Sequence, residues 1–239
     1  PNRPLESQST CRSMLMGEVF MKYDPNRTAN VHLAMAFEGS LAIVALLLAW
    51  VAERFFAVPL SERILAAGQM APPAALRGLV ATIPMFVAFA IVMGAWWPPI
   101  VKLRIRMTAA VQILLADASL FELAIVAALA GIGEELLFRG FLQPTIAHGT
   151  TPLIRLIAAS LLIGLAHCLT WRYFLLATII GLYFVWLAQE WNDLVAPIVA
   201  HAVYDFVALV VVTRIKPGKS VGARSSTAKD AEAHGDIDD

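Results

Sequence analysis

Apolar residues run along this chain in long stretches, and polar residues gather between them. Six segments are apolar over the length of about 20 residues that a helix needs to cross a bilayer: roughly 33–52, 79–97, 119–148, 152–170, 172–189 and 193–213. The pattern predicts an all-α fold, a polytopic membrane helix bundle of about six transmembrane helices. Residues 100–117 carry Lys102, Arg104 and Arg106 among apolar positions, which predicts an interfacial helix there rather than a span. The breaks divide the chain into an N-terminal tail (1–30), N-terminal transmembrane helices with the interfacial segment (31–114), a transmembrane core (115–213) and a C-terminal tail (214–239). From Lys216 that last tail is Gly, Ser, Ala and charge, and it is expected to be disordered.

Composition agrees: 59% of residues are hydrophobic, 15% are charged and mean hydropathy is +0.71, too apolar for an ordinary soluble domain. The formal net charge is zero, so no nucleic-acid partner is expected; the expected partners are the lipid bilayer and a peptide or membrane-protein substrate. Cys11 lies in a polar tail and Cys168 in an apolar run, which argues against a disulfide between them. Basic residues give an orientation. Arg3, Arg12, Lys22 and Arg27, then Lys102, Arg104 and Arg106, then Arg172, then Arg214, Lys216 and Lys219 fall on one side if the N-terminus is inside. The positive-inside bias therefore predicts an integral membrane protein of the plasma (inner) membrane with both termini cytoplasmic. Arg54, Arg63, Arg77 and Arg155 on the other side weaken that bias. Nothing in the sequence fixes the oligomeric state.

Against this background a few ionisable residues stand out, because a charge at bilayer depth costs at least about 2.5–3.5 kcal/mol and calls for a reason. Glu134, Glu135 and Arg139 lie in one span, His167 in the next, and His201 and Asp205 in the last. Glu122 sits near the start of the third span, where solvation alone explains it. Glu135 and Arg139 are spaced i,i+4 in the favourable order for an ion pair, and His201 and Asp205 share a face at the same spacing. Glu134 points about 100° away from Glu135 around the helix, so the two carboxylates need not do one job. Glu134 is about 16 residues before the Gly149–Thr151 turn and His167 about 17 after it, which brings both to one level roughly 24 Å from the turn. His201 lies within about one to two helical turns of that level, a gap that tilt can close.

A carboxylate and two imidazoles are the ligand types of a hydrolytic zinc site, with Glu134, His167 and His201 as ligands. The same residues without metal suit a glutamate general base with His partners. Each also has a structural reading: His167 as an interhelical hydrogen-bonding residue, Glu135–Arg139 as a supporting ion pair, Asp205 as the group that fixes the His201 ring.

These residues resemble a known family. Glu134-Glu135-x-x-x-Arg139, followed by Gly140-Phe141-Leu142 and preceded by Phe138, resembles the first motif of the CPBP family, the CAAX-protease and bacteriocin-processing (Abi) intramembrane proteases. Ile163-x-x-x-His167 is similar to its second motif, with Ile for Phe, and His201-x-x-x-Asp205 to its third. The likeness covers about 115–213 and implies an endopeptidase that cleaves in or beside the membrane, of CAAX type or bacteriocin-processing type. It implies catalytic roles for Glu134, His167, His201 and Asp205, with Glu135 and Arg139 in support. It leaves zinc and a metal-free glutamate mechanism both open, and implies no other cofactor. The Ile163 departure bears on substrate fit more than on chemistry. Asp205 bears on mechanism: where an Asn amide could donate to an oxyanion, an ionised Asp only accepts. Two further readings remain open: a non-catalytic immunity or scaffold protein of the same fold, and a proton-coupled transporter, for which the chain shows no paired Gly/Pro-broken halves.

Overall fold

The computed structural model describes residues 25–56, 71–146 and 151–215. Among them every regular element is helical: α1 (Pro25–Phe56), α2 (Ala71–Gly94), α3 (Pro98–Leu115), α4 (Leu120–Glu135), a π-helical segment (Leu136–Leu142), α5 (Gln143–Ile146), α6 (Pro152–Ala166), α7 (Trp171–Trp191) and α8 (Val195–Arg214). In hydrocarbon a helix satisfies its backbone groups internally, so apolar segments of this length have little alternative. The expected tails lie outside the described residues, except that 25–30 open α1 and Arg214 closes α8.

Stretches within α1, α2, α7 and α8 are long and apolar enough to cross a membrane. A fifth candidate is the pair Pro98–Leu115 and Leu120–Ile146, bent by 113°. The remaining expected span, 152–170, is cut short: α6 is apolar but has 15 residues. His167 leaves helical geometry (φ −101°, ψ 17°), and the Thr170 side chain already caps α7 by accepting from the Tyr173 N–H.

The bend between α3 and α4 is where the sequence changes from basic to apolar. Ser119 and Glu122 form a reciprocal capping box there, so Glu122, read above as merely solvated, starts α4. The polar residues of α3 also terminate neighbouring helices. Arg104 donates to the carbonyls of Val92, Met93 and Ala95 at the end of α2, and the Gln112 amide donates to those of Val212 and Ile215 at the end of α8. Arg214 reaches back to the Ala118 carbonyl inside the bend.

Helix α8 packs on both α4 and α2, and α4 packs on α1. Two glycines set how closely α4 is held. A Cβ at Gly131 would lie 2.9 Å from the Ala202 nitrogen on α8, and one at Gly133 would lie 2.6 Å from the Glu38 carbonyl oxygen on α1. Small residues that let backbones touch are the usual means of joining helices in lipid, where apolar side chains gain nothing by leaving the solvent. Gly133 is followed directly by Glu134, so this pinch fixes the position of the residue on which the site is built.

Candidate active site

Three elements bring the ionisable residues together. Glu134 and Glu135 form the last turn of α4, His167 is the residue after α6, and His201 and Asp205 lie in the middle of α8. Glu134 lies between the two imidazoles: its Oε1 is 3.4 Å from His167 Nε2 and its Oε2 is 4.0 Å from His201 Nε2. The backbone breaks where this is useful. Because α6 ends at His167, its Nδ1 donates to the Ile163 carbonyl at 3.0 Å, and Nε2 is thereby turned toward Glu134. With Nδ1 committed to that carbonyl, Nε2 is the ring nitrogen left to face the Glu134 carboxylate.

His201 is held from both sides. Its Nδ1 is 2.8 Å from Glu135 Oε1 and its Nε2 is 3.4 Å from Asp205 Oδ2. Glu135 Oε1 also accepts from Arg139 at 3.0 Å, with both side chains almost wholly buried. Glu135 is thus more than the arginine's counter-charge; it orients a site imidazole. Arg139 pairs with Glu135 although it lies in the π-helical segment, where the backbone repeat is wider than the i,i+4 spacing assumed from the sequence. Single π turns of this kind are frequent near functional sites.

Ile163 clarifies the second motif. The service it gives His167 is a backbone carbonyl, which any residue supplies, while its side chain packs with Phe138, Ala159 and Val185. An aromatic wall is present, but it comes from α7: Phe184 stacks on His201 at 5.1 Å, and the Arg139 guanidinium lies 5.1 Å from the Phe184 ring centre on the same residue. Phe184 lies in an apolar run, and the sequence pattern does not single it out.

Glu38 was missed as well. This carboxylate lies in α1, within electrostatic reach of Glu134, Asp205, His201 and His167, and its Oε2 is buried without a hydrogen-bond partner among the described residues. The available signal was a lone acid inside the first apolar span. Tyr173 and Tyr204 were missed for the same reason as Phe184; they line the site cavity of about 160 Å³ together with Glu134, His167, His201 and Asp205.

The expected zinc ligands are Glu134, His167 and His201. Glu134 and His167 meet each other directly, and His201 faces carboxylates at both ring nitrogens. Among the described residues no group of three His, Cys, Asp or Glu is arranged to hold a metal ion. The mechanism proposed for the site uses these side chains alone.

All six residues of the cluster fall in the part of the chain with a recognisable relative. Residues 116–207 match the family model of the Rce1-like type II CAAX prenyl endopeptidases. No curated protein and no solved structure matches the chain. The match agrees with the CPBP and CAAX-protease resemblance carried by the three motifs, and supports a CAAX-type intramembrane protease, a hydrolase, at the level of the family. With the apolar helices it identifies an integral membrane protein. Helix α1, and with it Glu38, lies outside the matched segment.

Proposed function

We propose that the protein is an intramembrane endopeptidase that hydrolyses a peptide bond with a Glu134-activated water. The observation that carries this reading is Glu134 between two imidazoles on a cavity inside an otherwise apolar bundle. The water gives a proton to Glu134 as its oxygen bonds to the scissile carbonyl carbon; the electron pair of the C=O bond moves onto oxygen. When the C–N bond breaks, that pair re-forms the carbonyl and the leaving nitrogen takes the proton from Glu134. His167 shares this proton and keeps it at the reacting end of the carboxylate. His201, held between Glu135 and Asp205, borders the second oxygen of Glu134 and keeps the carboxylate in place. Asp205 acts on the ring of His201 rather than as an oxyanion donor.

An apolar cavity of about 400 Å³ adjoins the site and shares Tyr173, Tyr204 and Asp205 with it. It suits a substrate whose apolar part stays in the membrane while its peptide reaches Glu134. The test is direct: wild-type protein in liposomes is expected to release the C-terminal fragment of a farnesylated, internally quenched CAAX peptide, with the cut mapped by mass spectrometry. Intact peptide after incubation with folded protein would overturn the reading.

The site opens toward the cytoplasm in this proposal, with the plasma membrane as the location and both termini inside. The basic residues support it, Arg172 in particular, five residues beyond His167. Cys168 is exposed beside His167 and serves as a native probe. In a Cys11→Ser variant, a membrane-impermeant maleimide is expected to label Cys168 in inside-out vesicles and not in intact cells. Labelling of intact cells would invert the topology and place the substrate on the other side.

A further inference from the structure

The proteolytic reading leaves the tetrahedral oxyanion without an evident donor. Glu134 and Asp205 accept when ionised, and both imidazoles are turned toward carboxylates. Arg139 is held by Glu135 with the Phe184 ring against it. The remaining O–H groups on the cavity are the phenols of Tyr173 and Tyr204. They differ in setting. The Tyr204 ring is held by Phe86 and Phe89 on α2, at 6.2 and 6.1 Å between ring centres, and its electrostatic neighbour is Asp205. Tyr173 sits in the first turn of α7, its ring edge-on to His167 at 6.3 Å, and it interacts electrostatically with both Glu134 and Asp205. Among the described residues nothing hydrogen-bonds its hydroxyl, whereas the Tyr183 hydroxyl on the same helix is committed to the Ala81 carbonyl at 2.8 Å.

We propose that Tyr173 is a further catalytic residue whose hydroxyl donates a hydrogen bond to the scissile carbonyl oxygen and to the oxyanion that forms from it. This rests on the proteolytic reading and supplies the donor that Asp205 cannot be while ionised. The O–H bond of Tyr173 stays intact throughout: the water's proton passes to Glu134 and then to the leaving nitrogen, and the phenol only stabilises the negative oxygen. Its place explains why the residue is a tyrosine. The ring lies on the boundary between the polar site and the adjoining apolar cavity, where a group with an apolar body and one donor fits both sides.

The experiment compares Tyr173→Phe with wild type in liposomes, using the farnesylated quenched peptide and a farnesylated peptide phosphinate that mimics the tetrahedral oxyanion. Loss of one oxyanion donor typically costs about 10²–10³ in kcat. The variant is expected to lose about 100-fold in kcat, to keep its KM and melting temperature, and to bind the phosphinate more weakly by a comparable factor. Unchanged kcat and phosphinate affinity, beside a Glu134→Gln variant that no longer cleaves, would overturn the role of Tyr173 and leave the protease standing. A raised KM with unchanged kcat would also overturn it, because the hydroxyl would then bind substrate and transition state alike. Absence of cleavage by wild-type protein would overturn both readings together.

Discussion

Glu134→Gln is expected to abolish peptide cleavage while leaving the protein folded and the substrate bound. The amide keeps the shape of the side chain and can still meet His167 and His201, so the three-helix junction has no reason to open. What it loses is the ability to take a proton from water and return it to the leaving nitrogen. General acid–base catalysis by one group contributes about 10²–10⁴ in rate, and here one carboxylate serves both steps, so the loss should lie at the upper end of that range or beyond it. Binding of the uncleaved farnesylated peptide, followed by its fluorescence in liposomes, should be near the wild-type value. Cleavage by Glu134→Gln at the wild-type rate would refute the mechanism, whatever the substrate.

Much of this site could be read from the chain because depth in a membrane is a one-dimensional quantity. Counting residues on either side of the 149–151 turn placed Glu134 and His167 at one level, and the structure brings them to 3.4 Å. Counting could not say which atom meets which. The contact of His201 Nδ1 with Glu135 depends on the rotation of α8 against α4, which Gly131 sets by backbone contact. Glu38 was invisible for a related reason: its approach to the site follows from the crossing of α1 over Gly133, and no pattern within α1 encodes that crossing. The number of helices long enough to span was overestimated at 152–170. There the apolar run continues past the point where the backbone turns His167 inward, and hydropathy does not register such a break. In α3, the basic residues suggested an interface, but Arg104 is used to end α2, a tertiary role that composition cannot show.

The buried Glu135–Arg139–His201 cluster gives the largest expected effect on stability. One oxygen of Glu135 receives both the guanidinium and the imidazole, and both the Glu135 and Arg139 side chains are removed from solvent. Removing one partner of a buried pair leaves the other charge uncompensated, at about 3–5 kcal/mol, and surrounding lipid offers no water to relieve it. Arg139→Ala should therefore lower the yield of folded protein and its melting temperature, and should lower activity mainly through the folded fraction. Glu135→Gln should differ in kind. It too leaves Arg139 without its counter-charge, and it weakens the hold on His201, so the molecules that do fold should also be slower. Activity normalised to folded protein separates the two: near wild type for Arg139→Ala, and reduced for Glu135→Gln. Normal melting of Arg139→Ala with cleavage lost would instead place the guanidinium among the groups that act on substrate. Equal normalised activities for the two variants would show that the Glu135–His201 contact has no part in the reaction.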